Sequence, residues 1–387
     1  MLFANFGSMI QSVGAAWLMT SITPYHQLVA LVSASVTIPI MLLALFAGAI
    51  ADALDRRLIM LASQSGMFVA SAALSILTWQ GLISPGLLLL FTFLVGVGTA
   101  INMPAWQASL RMQLPMEQIP AAISLNSISF NLARSVGPAL GALLITLSGP
   151  ALNFAVNALS YIWIIIVLLR WKPVIVVPPH EPLLAAIRRG INYSLTTTML
   201  RNTLVRSAAF GVGAASLPSL MPLIARELIR GDQMSYGLLV GSYGLGSIVS
   251  AMAVPRMREL VGANHSVMIA TTAYAIGTLG AAWSSSLALT LPFTFLAGIG
   301  WVMGMMSFSV TIQMGAPDAI VGRTISIYHS CVFGAMALAA WGWGALSDQI
   351  GLRPVLTLGA AVLAVSLLLV WLVPMPGRMR RGYENTD

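Results

Sequence analysis

Phe91-Thr92-Phe93-Leu94-Val95-Gly96-Val97-Gly98 returns 202 residues later, without a gap, as Phe293-Thr294-Phe295-Leu296-Ala297-Gly298-Ile299-Gly300. At the same offset Met112, Pro115, Ile123, Ser124 and Gly149 return as Met314, Pro317, Ile325, Ser326 and Gly351, so the match crosses three consecutive apolar segments. Shared apolar bias yields scattered Leu and Val identities. It does not yield an identical FTFL followed by GxG, in register with later Pro and Gly. The chain reads as one unit written twice.

Those units are built for lipid. Of 387 residues, 58% are hydrophobic and 8% charged, against roughly 25% charged in a soluble domain. Apolar runs recur along the whole chain, each near the ~20 residues a helix needs to cross about 30 Å of hydrocarbon. Lipid offers no hydrogen bonds, so each backbone must satisfy itself, and long runs do so as helices. The short alternating segments of a β-barrel are absent. A net charge of +8 would suit a nucleic-acid binder, but the basic residues sit in loops, so no nucleic-acid partner is expected. The single cysteine, Cys331, lies inside a span, which excludes a disulfide framework. The first basic residue is Arg56, so no signal peptide is expected.

Spans are expected near 2–21, 27–50, 58–79, 86–106, 119–147 and 152–170, then near 204–225, 236–254, 266–284, 288–312, 323–346 and 355–374. The fold class is therefore all-α and integral to the membrane, with about twelve helices in two pseudo-symmetric six-helix bundles, 1–170 and 204–374. A central loop, 171–203, and a tail, 375–387, complete the chain. With both termini in the cytoplasm, fifteen Arg and Lys residues fall on the cytoplasmic side, three (Arg226, Arg230, Arg353) fall opposite, and Arg134 falls inside a span. The positive-inside rule selects that topology. The repeat offset spans six helices, an even number, so both halves share one orientation. That is the arrangement in which a solute path runs between the halves.

The loop between the second and third spans reads Gly48-Ala49-Ile50-Ala51-Asp52-Ala53-Leu54-Asp55-Arg56-Arg57. It resembles the GxLaDrxGrR signature of the major facilitator superfamily, with Asp55 in place of the second Gly. The stretch Met41 to Met60, Gly137-Pro138-Ala139-Leu140-Gly141 in the fifth span, and Leu217-Pro218 through Tyr236-Gly237-Leu238-Leu239 resemble the branch containing enterobactin-type siderophore exporters. The resemblance covers nearly the whole chain. It implies a secondary transporter in a bacterial inner membrane, exporting a small amphipathic or anionic organic molecule, with no cofactor. Gly48, Asp52, Arg56 and Arg57 would form its gating motif. The alternative reading is that Arg56 and Arg57 only set topology. Gly137, Pro138 and Gly141 resemble an antiporter motif with part of its upstream glycine pattern missing, and Pro138 removes a backbone donor, which would bend the helix.

A charge near mid-membrane costs at least about 2.5 kcal/mol, so Arg134 must face protein or water. Ser124, Ser127, Asn131, Arg134 and Pro138 share one helical stripe. Arg134 either meets an anionic solute group or is satisfied by amides, carbonyls or Asp52. Asn5, Ser8, Gln11 and Ser12 line one side of the first span, Asn102 the fourth, and Trp301 the tenth beside a Gly300, Gly304, Ser307, Thr311 stripe. Each set suits a cavity wall or interhelical packing.

None of the eleven acidic residues falls at mid-membrane. His329, beside Tyr328 in the eleventh span, is then the possible proton carrier, or else a buried neutral ring. With no GxxxxGK[ST] loop the chain lacks P-loop ATP chemistry, and with no HExxH or paired intramembrane acids an enzyme is not expected. Import, or a membrane protein that kept this fold without transport, are the alternatives. Oligomeric state is not legible.

Overall fold

A computed structural model describes residues 2–53, 55–113, 115, 118–171, 183–317 and 320–375; within helices, side chains at 44, 45, 47–53, 108, 110–112, 119–121, 123, 124, 127 and 183–187 are outside that description. The described residues are helical, with no strand. The first half holds α1 (Leu2–Ile22), α2 (His26–Ala53), α3 (Arg56–Trp79), α4 (Pro85–Gln113), α5 (Ile119–Ser148) and α6 (Pro150–Arg170). Within the segment read as a central loop lies α7 (Leu183–Thr196). The second half holds α8 (Thr198–Ala214) and α9 (Ser216–Leu223), which continue through a π turn (Ile224–Leu228). Then come α10 (Gln233–Trp283), α11 (Leu287–Gly315), α12 (Val321–Ile350), α13 (Leu352–Ser366) and the short α14 (Leu369–Leu372).

Ten of these stretches are long and apolar enough to cross a bilayer, α10 with 51 residues among them. At about 1.5 Å per residue α10 is far longer than one crossing needs. It breaks at Gly262, whose φ of 80° and ψ of 170° are open to glycine and strained for other residues. The chain thus returns through the membrane, as the sequence reading anticipated between 254 and 266. The eighth crossing starts at Asp232, which caps α10 by accepting from Ser235 N–H at 3.0 Å. That bond holds the Asp232 carboxyl below its ordinary value. α1, 21 residues long, supplies the twelfth crossing.

The repeat does the same work twice. A Cβ placed on Gly96 would stand 3.0 Å from Pro39 Cγ of α2, and one on Gly98 would strike Met67 of α3. In the second half, Gly298 meets the Tyr243 carbonyl on the first arm of α10, and Gly300 would put a Cβ 2.5 Å from the Ala270 carbonyl on its second arm. In each half the fourth helix is wedged against the second by one glycine and against the third by the next.

The halves meet along α2 with α12 and α5 with α10, with α1 against α9 and α10. At the His26 end of the bundle this seam is shut. Trp17 stacks on Tyr236 with ring centroids 6.2 Å apart, and Gln233 Nε2 donates to Thr146 Oγ1 at 3.1 Å.

Candidate functional site: Arg134 at the seam between the halves

Arg134 sits half-buried in the middle of α5, on the stretch that packs against α10. A Cβ on Gly244 would lie 2.6 Å from the Arg134 carbonyl, one on Gly241 3.2 Å from the Ser135 carbonyl, and one on Gly237 2.9 Å from the Pro138 carbonyl. Glycines three and four residues apart give α10 a flat face on which α5 can lie. The Arg134 guanidinium then reaches across the seam and stands over the Tyr243 ring, 5.5 Å from its centroid.

From Tyr243 a row of rings runs into the second half. Tyr243 meets Tyr274 edge-on at 6.4 Å, Tyr274 meets Trp301 at 6.4 Å, and Trp301 stacks on Phe210 at 6.1 Å. Tyr274 is fully buried and donates to the Ala214 carbonyl at 2.8 Å. Among the described residues no carboxylate lies within ion-pair reach of Arg134. A cation over a ring recovers about 0.5–2 kcal/mol, less than the ~2.5 kcal/mol or more that a charge near mid-membrane costs. The site therefore favours added negative charge.

The remaining sequence candidates fall into three places. Asn131, one turn from Arg134, is half-buried on α5; Asn102 is half-buried on α4, with its Oδ1 buried and without a hydrogen-bond donor among the described residues; Ser8 is exposed on α1. The Ser127 side chain lies outside the described residues. Gln11 lies deep in the first half, where its Oε1 accepts from Ser71 Oγ and from Asn157 Nδ2, both at 2.8 Å. Asn157 also donates to the Tyr161 hydroxyl at 3.0 Å. In the second half Trp301 belongs to the ring row, while Tyr328 is fully buried and donates to the Met305 carbonyl at 3.1 Å. His329 is half-buried between Tyr328 and Phe333, with centroids at 5.2 and 5.8 Å.

Gly137 and Gly141 both face α1. Their added Cβ atoms would lie 2.7 Å from Met9 Cβ and 3.2 Å from Ile10 Cα. The helix is continuous through Pro138, whose carbonyl receives Gly237. At the other end of the bundle the surroundings of Gly48 and the side chain of Asp52 lie outside the description. Arg57 donates through Nε and Nη2 to the Leu168 and Leu169 carbonyls, at 2.8 and 2.9 Å. It thus places a cation on the carbonyl end of α6, where the helix dipole favours it. Asp55, the departure from the superfamily signature, caps α3 by accepting from Arg57 N–H at 2.8 Å. Arg56 opens α3.

Two features were not legible. Arg206, expected in a loop because the seventh span was begun at 204, is 4% exposed inside a crossing that starts at Thr198, and donates to Asn264 Oδ1. Arg201 and Arg206 had hidden the start of the helix. His26 and Glu227, both expected in loops, meet across the seam. A groove of 880 Å³ lies elsewhere, between α3 and α4, lined by Leu58, Ile59, Met67, Phe91, Leu94 and Ile101 among others. Its wall is mostly hydrocarbon, and bilayer lipid suits it better than a polar solute.

Comparisons with known proteins agree with this architecture. The pattern of the family described as transmembrane secretion effector matches residues 1–384. The staphyloferrin A transporter of Staphylococcus aureus (strain NCTC 8325 / PS 47) is 23% identical over 325 residues, 83% of this chain and 81% of that protein. The multidrug efflux pump Tap of Mycolicibacterium fortuitum is 24% identical over 380 residues, 95% and 90% of the two chains. A crystal structure of a mutant form of the nucleoside transporter NupG superposes with a TM-score of 0.78 at 13% identity, over 96% of each chain. With twelve crossings, parallel six-helix halves and a match over nearly its full length, the chain belongs to the transmembrane secretion effector family of the major facilitator superfamily.

Proposed function

We propose that this protein is a secondary active exporter of a small amphipathic or anionic organic molecule, and that its cargo meets Arg134 at the seam between the halves. The guanidinium on Tyr243, without a described carboxylate partner, is the observation that carries the reading. An anionic group entering beside it supplies the missing countercharge in a low-dielectric site, where such pairing is strongest. The ring row from Tyr243 to Trp301 offers apolar and aromatic surface for the rest of an amphipathic cargo. Asn131, Ser127, Asn102 and Ser8 are the polar groups proposed around it.

The positive-inside rule puts the Arg57 end in the cytoplasm of a bacterial inner membrane, with both termini and the 171–203 segment on that side. The His26 end then faces outward, and its closure describes the state that takes cargo from inside. Relatives that carry a siderophore and drugs support export. A coupled proton would use His329, half-buried on α12.

The test uses inverted vesicles holding the full chain, an amphipathic carboxylate dye and its neutral ester, with and without a proton gradient. Gradient-driven accumulation of the carboxylate is expected, reduced on the order of 100-fold in Arg134→Ala and less in Arg134→Lys, a loss of about 3 kcal/mol of charge-assisted binding. Equal effects on dye and ester would remove Arg134 from the cargo site. Accumulation only in right-side-out vesicles would make the protein an importer.

A further inference from the structure

His26, the first residue of α2, is held by the second half on three sides. Its Nε2 lies 2.9 Å from Glu227 Oε1 on the π turn, and its Nδ1 lies 3.1 Å from Ser347 Oγ on α12. Its backbone N–H donates to Asp348 Oδ1 at 2.7 Å, and the Gln27 N–H donates to Asp348 Oδ2 at 3.1 Å. The Asp348 carboxylate thus caps α2 from the opposite half, where the helix dipole favours an anion. Gly344 lets the helices close there, since a Cβ on it would lie 2.8 Å from Gln27 Cα.

The hydrogen bonds around the ring suit a second proton. With the Ser347 hydroxyl donating to the Gly344 carbonyl at 2.8 Å, Nδ1 donates to Ser347. Nε2 faces a Glu227 carboxylate oxygen, which accepts from it. A ring donating from both nitrogens is an imidazolium. If Glu227 held the proton instead, the pair would still carry one proton beyond the neutral ring and the carboxylate.

Glu227 and Asp348 are the charged groups that face the ring. α1 and α9 present no titratable side chain, Tyr25 precedes the ring, Arg226 and Arg230 flank Glu227 along its own segment, and Arg353 on α13 stacks on Trp283 at 6.0 Å. Exposure of the Glu227 side chain, 41%, opens the pair to external water.

We infer that His26, Glu227 and Asp348 form a proton-binding site on the outer face, at which one bound proton locks the two halves shut and its loss frees them. The site rests on the reading that the halves rock, but not on any cargo. Protonated His26 bonds both partners, so closure is complete at low external pH. As pH rises and the ring loses its proton, either Nε2 or Nδ1 stops donating and the outer seam loosens. The direction is acid-closed, alkaline-open.

The experiment places spin labels at Ser84→Cys and Ser285→Cys, exposed in connections of opposite halves on this face, in a Cys331→Ala background in nanodiscs, without cargo. Distances are recorded at about pH 5.5 and about pH 8.5, either side of the ordinary imidazole value. One short distance is expected in acid, and a longer population gaining on the order of tenfold relative to it in base. His26→Gln is expected to abolish the pH response, and Glu227→Gln to move its midpoint to lower pH. An unchanged native distribution, or a native-like response in either variant, would overturn the site. Loss of dye transport with this response intact would instead count against the cargo reading alone.

Discussion

The corner where α1, α3 and α6 meet and its counterpart 202 residues on are the same place in the fold, filled by different chemistry. In the first half Gln11, Ser71, Asn157 and Tyr161 form a buried hydrogen-bond network. Their equivalents are Gly213, Ala273, Gly359 and Leu363. There the amides are gone and the backbones have moved in: a Cβ on Gly213 would lie 2.6 Å from Leu363 Cγ and 3.1 Å from the Gly359 carbonyl. One topology tolerates a directional polar bridge or a glycine-to-backbone contact, because in lipid both replace a hydrophobic drive that helices there lack. The first is specified by donor and acceptor, the second by the absence of a side chain.

Writing the first half's residue into the second is the harshest test of that contrast. Gly213→Gln has no room, and is expected to cost about 3 kcal/mol, the upper part of the overpacking range. Reversible denaturation in detergent should show it as the least stable variant, and native-like stability would mean that the corner can open. The repeat gives a milder comparison. Gly300→Ala presses on the Ala270 backbone, which cannot yield, whereas Gly98→Ala presses on the flexible Met67 side chain. Losses of about 2 kcal/mol for Gly300→Ala and near zero for Gly98→Ala are expected. Equal losses would make the two wedges equivalent. Gln11→Leu takes the shared acceptor from Ser71 and Asn157 and should lower stability by about 1 kcal/mol, less than Gly300→Ala. Dye affinity should stay unchanged, because the amide faces its own half. A changed apparent KM at intact stability would return Gln11 to the cargo path.

The repeat, the charge asymmetry and the apolar lengths made the spans legible, since each reports a solvent requirement that a run of residues must meet alone. The third span, expected at 58–79, forms as Arg56–Trp79, and the fifth, expected at 119–147, forms as Ile119–Ser148. Arg134 stood out for the same reason, as a charge in a segment where charge is costly. Its partner Tyr243 did not stand out, because a tyrosine in an apolar helix signals nothing until another helix is laid beside it. Glu227 and Asp348 lie 201 and 322 positions from His26, and each of the three taken alone reads as a polar residue at a helix end.

The sequence by itself determined that this chain is all-helical, membrane-embedded and doubled, because lipid imposes its conditions on every segment separately. Tertiary structure alone decided which polar groups face one another: Gln11 turned into its own half, Arg134 turned onto the other half, and a histidine wedged between two carboxylates. Such choices depend on helix rotation and on the depth at which glycines let backbones meet, and both are settled only when the halves pack.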